Sequence, residues 1–302
     1  MWFNSAFIID KGIAPMIKTI LVPATGNDTD AITYAAAQAV ASGFGANIDA
    51  LHVRLDPVEV AMMMSTEGAG GTLLQGIIDS LEHDADESEA KARSIFAAFC
   101  ASEGVALATA AAGGGRASAG FHVETGQETR WLAAYGLTSD LAVATRGVSG
   151  DNAAARSTIE ALLLETGRPL LIPGPSAPAP DFADRISIAW KPTPQAARAV
   201  TAAMPLLARA KEVAVLTVEE EEGKRDETER LMEYLAWHGV HALAERLAPG
   251  PDGAATLIAA AAVKSGLLVM GGYGHTRLRE WVFGGFTQSA LDHAEMPVLM
   301  AH

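Results

Sequence analysis

Short apolar runs alternate with longer amphipathic or alanine-rich stretches from Ile17 onward. Apolar runs bounded by turn residues read as buried strands, and stretches of ten or more residues with helical spacing read as helices. Ile17–Pro23 (IKTILVP) is a strand, Asp30–Ser42 a helix with cap candidates in Asn27–Asp30, and Asn47–Val53 a strand. Phe121–Glu124, Leu141–Thr145 and Pro169–Pro173 are further strands, separated by helices over Glu128–Tyr135 and Asn152–Glu165. Strand, helix, strand in this order predicts an α/β fold with a parallel sheet and right-handed crossovers.

The same order returns after Gly174–Asp184 (GPSAPAPDFAD), a Pro/Ala linker and the expected domain boundary. Strands are predicted at Arg185–Trp190, Glu212–Val218, Ala242–Leu247, Leu267–Met270 and Val298–Ala301. Helices are predicted at Pro194–Arg209, Asp226–Trp237, Gly253–Ser265 and Phe286–Ala294, with the acidic run Glu219–Glu222 a solvated loop. The chain is therefore an internal repeat. Val53 corresponds to Val218 at an offset of 165, Leu141 to Leu267 at 126, and Pro169 to Pro297 at 128. The fall from 165 to 126 means that the first half carries about 39 extra residues between its second and fourth strands.

Those extra residues lie within Arg54–Gly120. They include the methionine cluster Met62, Met63 and Met64 and a long helix, roughly Leu73–Glu103. The charged LEHDADESEAKARS must be largely solvated, with Leu81, Ile95, Phe96 and Phe99 as apolar anchors. The Met cluster reads as gap-filling core, a mobile loop or a sticky surface. Ala108–Gly120 reads as loop. Residues 1–15 precede the first strand and have no repeat counterpart, so they read as a dispensable extension to a first domain over 16–174, followed by the linker 175–184 and a second domain over 185–302.

Chemistry concentrates in LLVMGGYGHTRLREWVFGGFTQSALDHAEMPVLMAH, Leu267–His302. A strand leads into Gly271-x2-Gly274-x9-Gly284-Gly285-x-Thr287, and a helix follows. Glycines let backbone N–H groups approach an anion, and a helix start adds unpaired donors and partial positive charge. Thr287 offers a hydroxyl. The alternative is a loop that needs glycines only to turn. The corresponding loop of the first half, TRGVSGDNAAARSTIEA, keeps Gly147 and Gly150 but has Arg156 near the second glycine group. That half reads as a structural partner.

This spacing resembles the nucleotide-binding motif of the universal stress protein family, G-x2-G-x9-G-[ST], with Gly285 standing at the Ser/Thr position. The resemblance covers nearly all of Ile17–His302 as two tandem copies. It implies two tandem α/β domains, Rossmann-like and of the adenine nucleotide alpha hydrolase-like type, each with five parallel strands and helices on both faces. Single-domain members dimerise, often through their last strands, so a tandem chain looks like that dimer fused; a homodimer of the whole chain stays open. The resemblance further implies ATP, with Mg²⁺ accompanying it. The phosphates would lie on Gly271, Gly274, Gly284, Gly285, Phe286 and Thr287, and the base near Ala189, Lys191, Val218 and Met270. Lys191 stands where ATP-binding members carry an acid that meets adenine, so it is either a phosphate-directed cation or an exposed lysine. Trp190 would stack on a base or fill the pocket.

Composition narrows the partners. A formal net charge of −14 argues against nonspecific nucleic acid and anionic membranes, which need a basic surface. One cysteine, Cys100, sits in an apolar helical run, reads as a buried structural thiol and fits a reducing, cytoplasmic compartment. No stretch is long and apolar enough to span a bilayer. The eight histidines are scattered; His238 and His241 lack a third ligand, His83 lies among solvated acids, and His275 reads as a surface loop residue or a phosphate contact. Glu280 reads as a solvated acid or as a residue positioning water or Mg²⁺ for slow hydrolysis. No GxSxG, HExxH or CxxC motif is present. Three readings follow: a nucleotide-responsive stress protein without efficient turnover, an interaction scaffold with a decayed pocket, and a slow ATPase.

Overall fold

The computed structural model describes residues 17–64, 71–108, 115–147, 152–218, 225–248, 253–272 and 285–302. The N-terminal extension, Gly274, His275, Glu280, Gly284, Gly150 and the acidic run Glu219–Glu222 lie outside them. The first half contains β1 (Thr19–Pro23), α1 (Asp30–Phe44), β2 (Asn47–Arg54), α2 (Pro57–Met64), α3 (Gly71–Glu103), β3 (Ala106–Leu107) and β4 (Ser118–Thr125). It continues with α4 (Glu128–Gly136), β5 (Leu141–Val143), α5 (Asn152–Glu165) and β6 (Leu170–Ile172). The second half contains β7 (Arg185–Ala189), α6 (Pro194–Leu207), β8 (Glu212–Val218), α7 (Arg225–Trp237) and β9 (Ala242–Leu247). It ends with α8 (Gly253–Lys264), β10 (Leu267–Gly271), α9 (Gly285–His293) and β11 (Val298–Ala301).

Among the described residues the strands form one eleven-stranded sheet in the order β3-β4-β2-β1-β5-β6-β11-β10-β7-β8-β9. Each half contributes a parallel set in which the chain steps outward from its first strand in one direction and then in the other. Cross-strand register reproduces the repeat: Ile20 pairs with Leu141 and Ile186 with Leu267, while Ala142 pairs with Leu170 and Leu268 with Val298. The final strands of the two halves meet, as the likeness to a fused dimer implies. β6 and β11 pair antiparallel, with Val298 opposite Ile172 and Met300 opposite Leu170. Two parallel sheets are thereby fused into one, and the C-terminal ends of the two sets point to opposite edges.

Alternation along the central strands sends side chains into two cores, one on each face. Ile20, Val22, Ile186 and Val269 join Tyr34 of α1, Phe96 of α3 and Val200 of α6. Leu21, Leu268 and Met270 join Leu132 of α4, Leu162 of α5 and Ala290 of α9. Both cores run through both halves. The linker is anchored too: Phe182, in a 3-10 turn at Phe182–Asp184, is buried in the first core.

Two segments differ from the sequence expectation. Ser118–Gly120, expected as loop, opens β4, and β3 pairs on its outer side, with Ala106 opposite Ser118 and Leu107 opposite Ala119. Small residues carry little strand propensity, and pairing with β2 along all eight positions of β4 overrides it. In the insertion, Met62 lies on the short helix α2 and is largely exposed, so at that position the cluster is surface rather than gap-filling core. Helix α3 has 33 residues against 13 for α7, its counterpart in the repeat. Its buried anchors include Ala85, Ala92 and Cys100 beside Phe96 and Phe99.

Candidate functional site at the second-half switch point

The second half changes winding direction between β7 and β10, and in doubly wound sheets ligands bind at the C-terminal strand ends beside that point. Most of the residues singled out by sequence lie there. Met270 pairs with Ala189, Gly271 is the next residue on β10, and Gly271 pairs with Ala301. Val218 ends β8, two residues beyond Leu216, which pairs with Ala189. Lys191 follows β7 and is exposed. Gly285 and Phe286 open α9, and Thr287 is buried in its first turn. Ala189 and Met270 are themselves buried in the core between sheet and α8/α9, so they form the floor of the edge.

Two glycines at the root of the loop have packing reasons. A Cβ on Gly271 would come within 2.5 Å of the Ala196 nitrogen, at the start of α6. That helix is well begun: Thr193 accepts a hydrogen bond from Ala196 N at 3.2 Å, and proline stands just inside the first turn. Gly271 thus brings the loop root against a helix N-terminus. A Cβ on Gly272 would meet Leu163 Cδ2 of α5, in the other half, at 2.9 Å. Trp190 packs on the core shared with α6 and α7, and its backbone N–H donates to Leu216 O at 2.9 Å. Of its two readings, filling is the one its packing matches.

The first half handles the same positions differently. By the offset of 126, Thr145 and Arg146 correspond to Gly271 and Gly272. Arg146 crosses to the second half. Its Nη1 donates to Leu291 O at 2.9 Å and Ala290 O at 3.4 Å, and its Nη2 donates to Pro173 O at 3.3 Å and to Ala294 O. It thereby closes the C-terminus of α9, where free carbonyls and the helix dipole favour a cation. Burial pushes its guanidinium pKa down, and Asp292 opposes that shift. Arg156 stands 3.8 Å from Asp292 across the same seam.

The loop after β1 is also internally satisfied. Asp30, almost fully buried, accepts from Thr25 N at 3.2 Å, Thr25 Oγ1 at 2.7 Å and Gly26 N at 2.8 Å. Burial raises its carboxyl pKa, against the pull of these donors. Behind it, His52 Nδ1 donates to Ala24 O at 2.7 Å. A carboxylate of the chain itself thus holds the N–H groups that a ligand at this strand end would need. In the sequence Asp30 stood out only as a helix-cap candidate and Arg146 not at all, although the offset of 126, applied to Gly272, points straight to Arg146.

Residues 184–302 match the family model for the universal stress protein family. Among solved structures, a universal stress protein from Archaeoglobus fulgidus DSM 4304 is similar over 95% of this chain and 96% of that one, at 14% identity and a TM-score of 0.67. A protein from Pseudomonas aeruginosa PAO1, described as functionally unknown, is similar over 94% and 92%, at 15% identity and a TM-score of 0.53. At such identities the likeness concerns the fold. No curated protein matches the chain. Residues 184–302 thus belong to the universal stress protein family, and residues 17–172 set the same fold in front of them in a tandem, doubly wound α/β chain.

Proposed function

We propose that this chain is a nucleotide-responsive stress protein that holds ATP, or a related phosphate ligand, on the glycine loop of its second half without efficient turnover. The observation that carries the reading is the placement of Gly271 at the switch point, against the N-terminus of α6, at the head of Gly271-x2-Gly274-x9-Gly284. The root of the glycine loop and a helix N-terminus thus meet at one strand end, where phosphates bind in α/β folds. Lys191 on the neighbouring strand end supplies a cation at the same edge, and Mg²⁺ would enter with the nucleotide. The first half is the structural partner, because Asp30 takes the N–H groups that its own site would need and Arg146, at the position of a loop glycine, is committed to the end of α9. A single cysteine fits the cytoplasm as the compartment. Among the described residues no helix is long and apolar enough to cross a membrane.

A test needs no assumption about the base. Protein purified without added nucleotide is denatured, and the released small molecules are separated and quantified. An adenine nucleotide near one equivalent, lost in Gly274→Val, supports the reading. Ligand-free wild-type protein that also fails to take up ATP would instead support a scaffold with a decayed pocket, the reading favoured by Lys191 at the adenine position.

A further inference from the structure

Two cavities lie beside corresponding strand ends of the repeat, and the second of them lies between the halves. One, of about 500 Å³, is lined by Gly266 and Glu295–Pro297 and by the linker around Pro178; Asp181, Asp184 and Glu295 give it an acidic wall. The other, of about 470 Å³, is lined by Gly167–Pro169 of the first half and by the outer face of α6 in the second. Here the repeat places Arg168 where the acidic cavity has Met296, and α6 adds Arg198 from the opposite side.

Arg198 is exposed and makes no ion pair among the described residues. Arg168 donates through Nη2 to Leu137 O at 2.9 Å, which leaves its remaining N–H groups for the cavity. The one side-chain carboxylate in the lining, Asp140, is already engaged: its Oδ2 accepts from Lys18 N at 2.8 Å and Thr19 N at 3.1 Å. Ile17, Pro169 and Pro205 give the remaining wall an apolar surface. Two guanidinium groups from opposite sides, beside an apolar wall and within a chain of net charge −14, match a small ligand with a dianionic head and a short apolar body.

We propose that this seam cleft is a binding site for a small phosphate monoester with an apolar substituent, separate from the glycine loop. The ligand would bridge Arg168 of one half and Arg198 of the other. His302 Nδ1 donates to Gly272 O at 3.3 Å, so the cleft and the root of the glycine loop share a wall, and the test must separate the two.

Calorimetry on the full chain with phenyl phosphate and inorganic phosphate does so. Phenyl phosphate should bind at least about fivefold tighter than inorganic phosphate, because the apolar wall contributes. Arg198→Gln and Ala197→Glu, both at exposed positions of α6, should keep the melting temperature and weaken phenyl phosphate at least about tenfold. Gly274→Val should leave that affinity within about twofold, since no backbone of the glycine loop is needed. Absence of phenyl phosphate binding to the wild type, wild-type affinity in Arg198→Gln, or abolition by Gly274→Val would each overturn the proposal.

Discussion

Arg146 shows how one substitution turns a repeated motif to another use. Its counterpart Gly272 lets Leu163 of the opposite half approach to van der Waals contact, and a side chain there would collide. Arg146 reaches across the seam to the last carbonyls of α9. Charged hydrogen bonds are each worth more than neutral ones, and removing this donor takes a partner from four part-buried carbonyls at once. Arg146→Leu should therefore cost about 2–4 kcal/mol in urea unfolding, a large effect for a position outside the apolar core. Arg156, 3.8 Å from Asp292 with both side chains partly exposed, should cost less than about 1 kcal/mol on removal. The offset in the sequence places Arg146 opposite a glycine. Its reach to α9 was not legible there, because that depends on an antiparallel strand pair with no local signature.

The element that most separates the halves is α3. Its C-terminal turns repeat α7: Val105 N donates to Cys100 O as Val240 N does to Leu235 O. The additional length is therefore N-terminal, about 20 residues or about 30 Å of helix. A crossover helix runs against its strands, so the added turns pass the C-terminal edge of the first half. Gly26, after β1, lies close enough that a Cβ would sit 3.1 Å from Ser88 O. Arg54, at the end of β2, ties the helix down through Asp86 at 2.5 Å and Glu89 at 2.6 Å. Its hydrogen bond, with that of Arg93, holds the Glu89 carboxyl below its ordinary value of 4.5. A lowered carboxylate pKa stabilises the fold above the unfolded value, and that contribution is lost as pH falls through the folded one. Arg54→Gln should cost about 1 kcal/mol at pH 7, and its difference from wild type in chemical unfolding should shrink below about pH 4. A difference that persists unchanged at acid pH would show that Arg54 acts by packing its stem. The helix itself was plain in the sequence. Its buried anchors Ala85 and Ala92 were less so, because alanine marks buried and exposed helix positions alike.

Across the whole molecule, the halves share a sheet and both cores. The repeat was legible because buried strands need apolar runs and the offsets survive in their register. The joining of β6 to β11 was expected only from the family resemblance and not from the residues themselves, because strands of three and four residues buried on both faces carry the same apolar pattern whatever they pair with. A fragment of residues 185–302 alone exposes the β11 edge and the apolar residues that faced the first half. An unpaired apolar edge strand is a template for association. The fragment should sediment as a dimer or larger species, and a stable monomer would show that the seam is a loose contact between independent domains.

The central claim is that the second half, and not the first, holds phosphate through its glycine loop. Isothermal calorimetry with ATP, with and without Mg²⁺, on wild type, Gly274→Val, Thr287→Ala and Arg156→Ala tests it most directly. The account predicts binding to the wild type, loss in Gly274→Val, a cost of about 1 kcal/mol in Thr287→Ala, and no change in Arg156→Ala. Absence of ATP binding to the wild type, or binding that survives Gly274→Val and vanishes in Arg156→Ala, would contradict it.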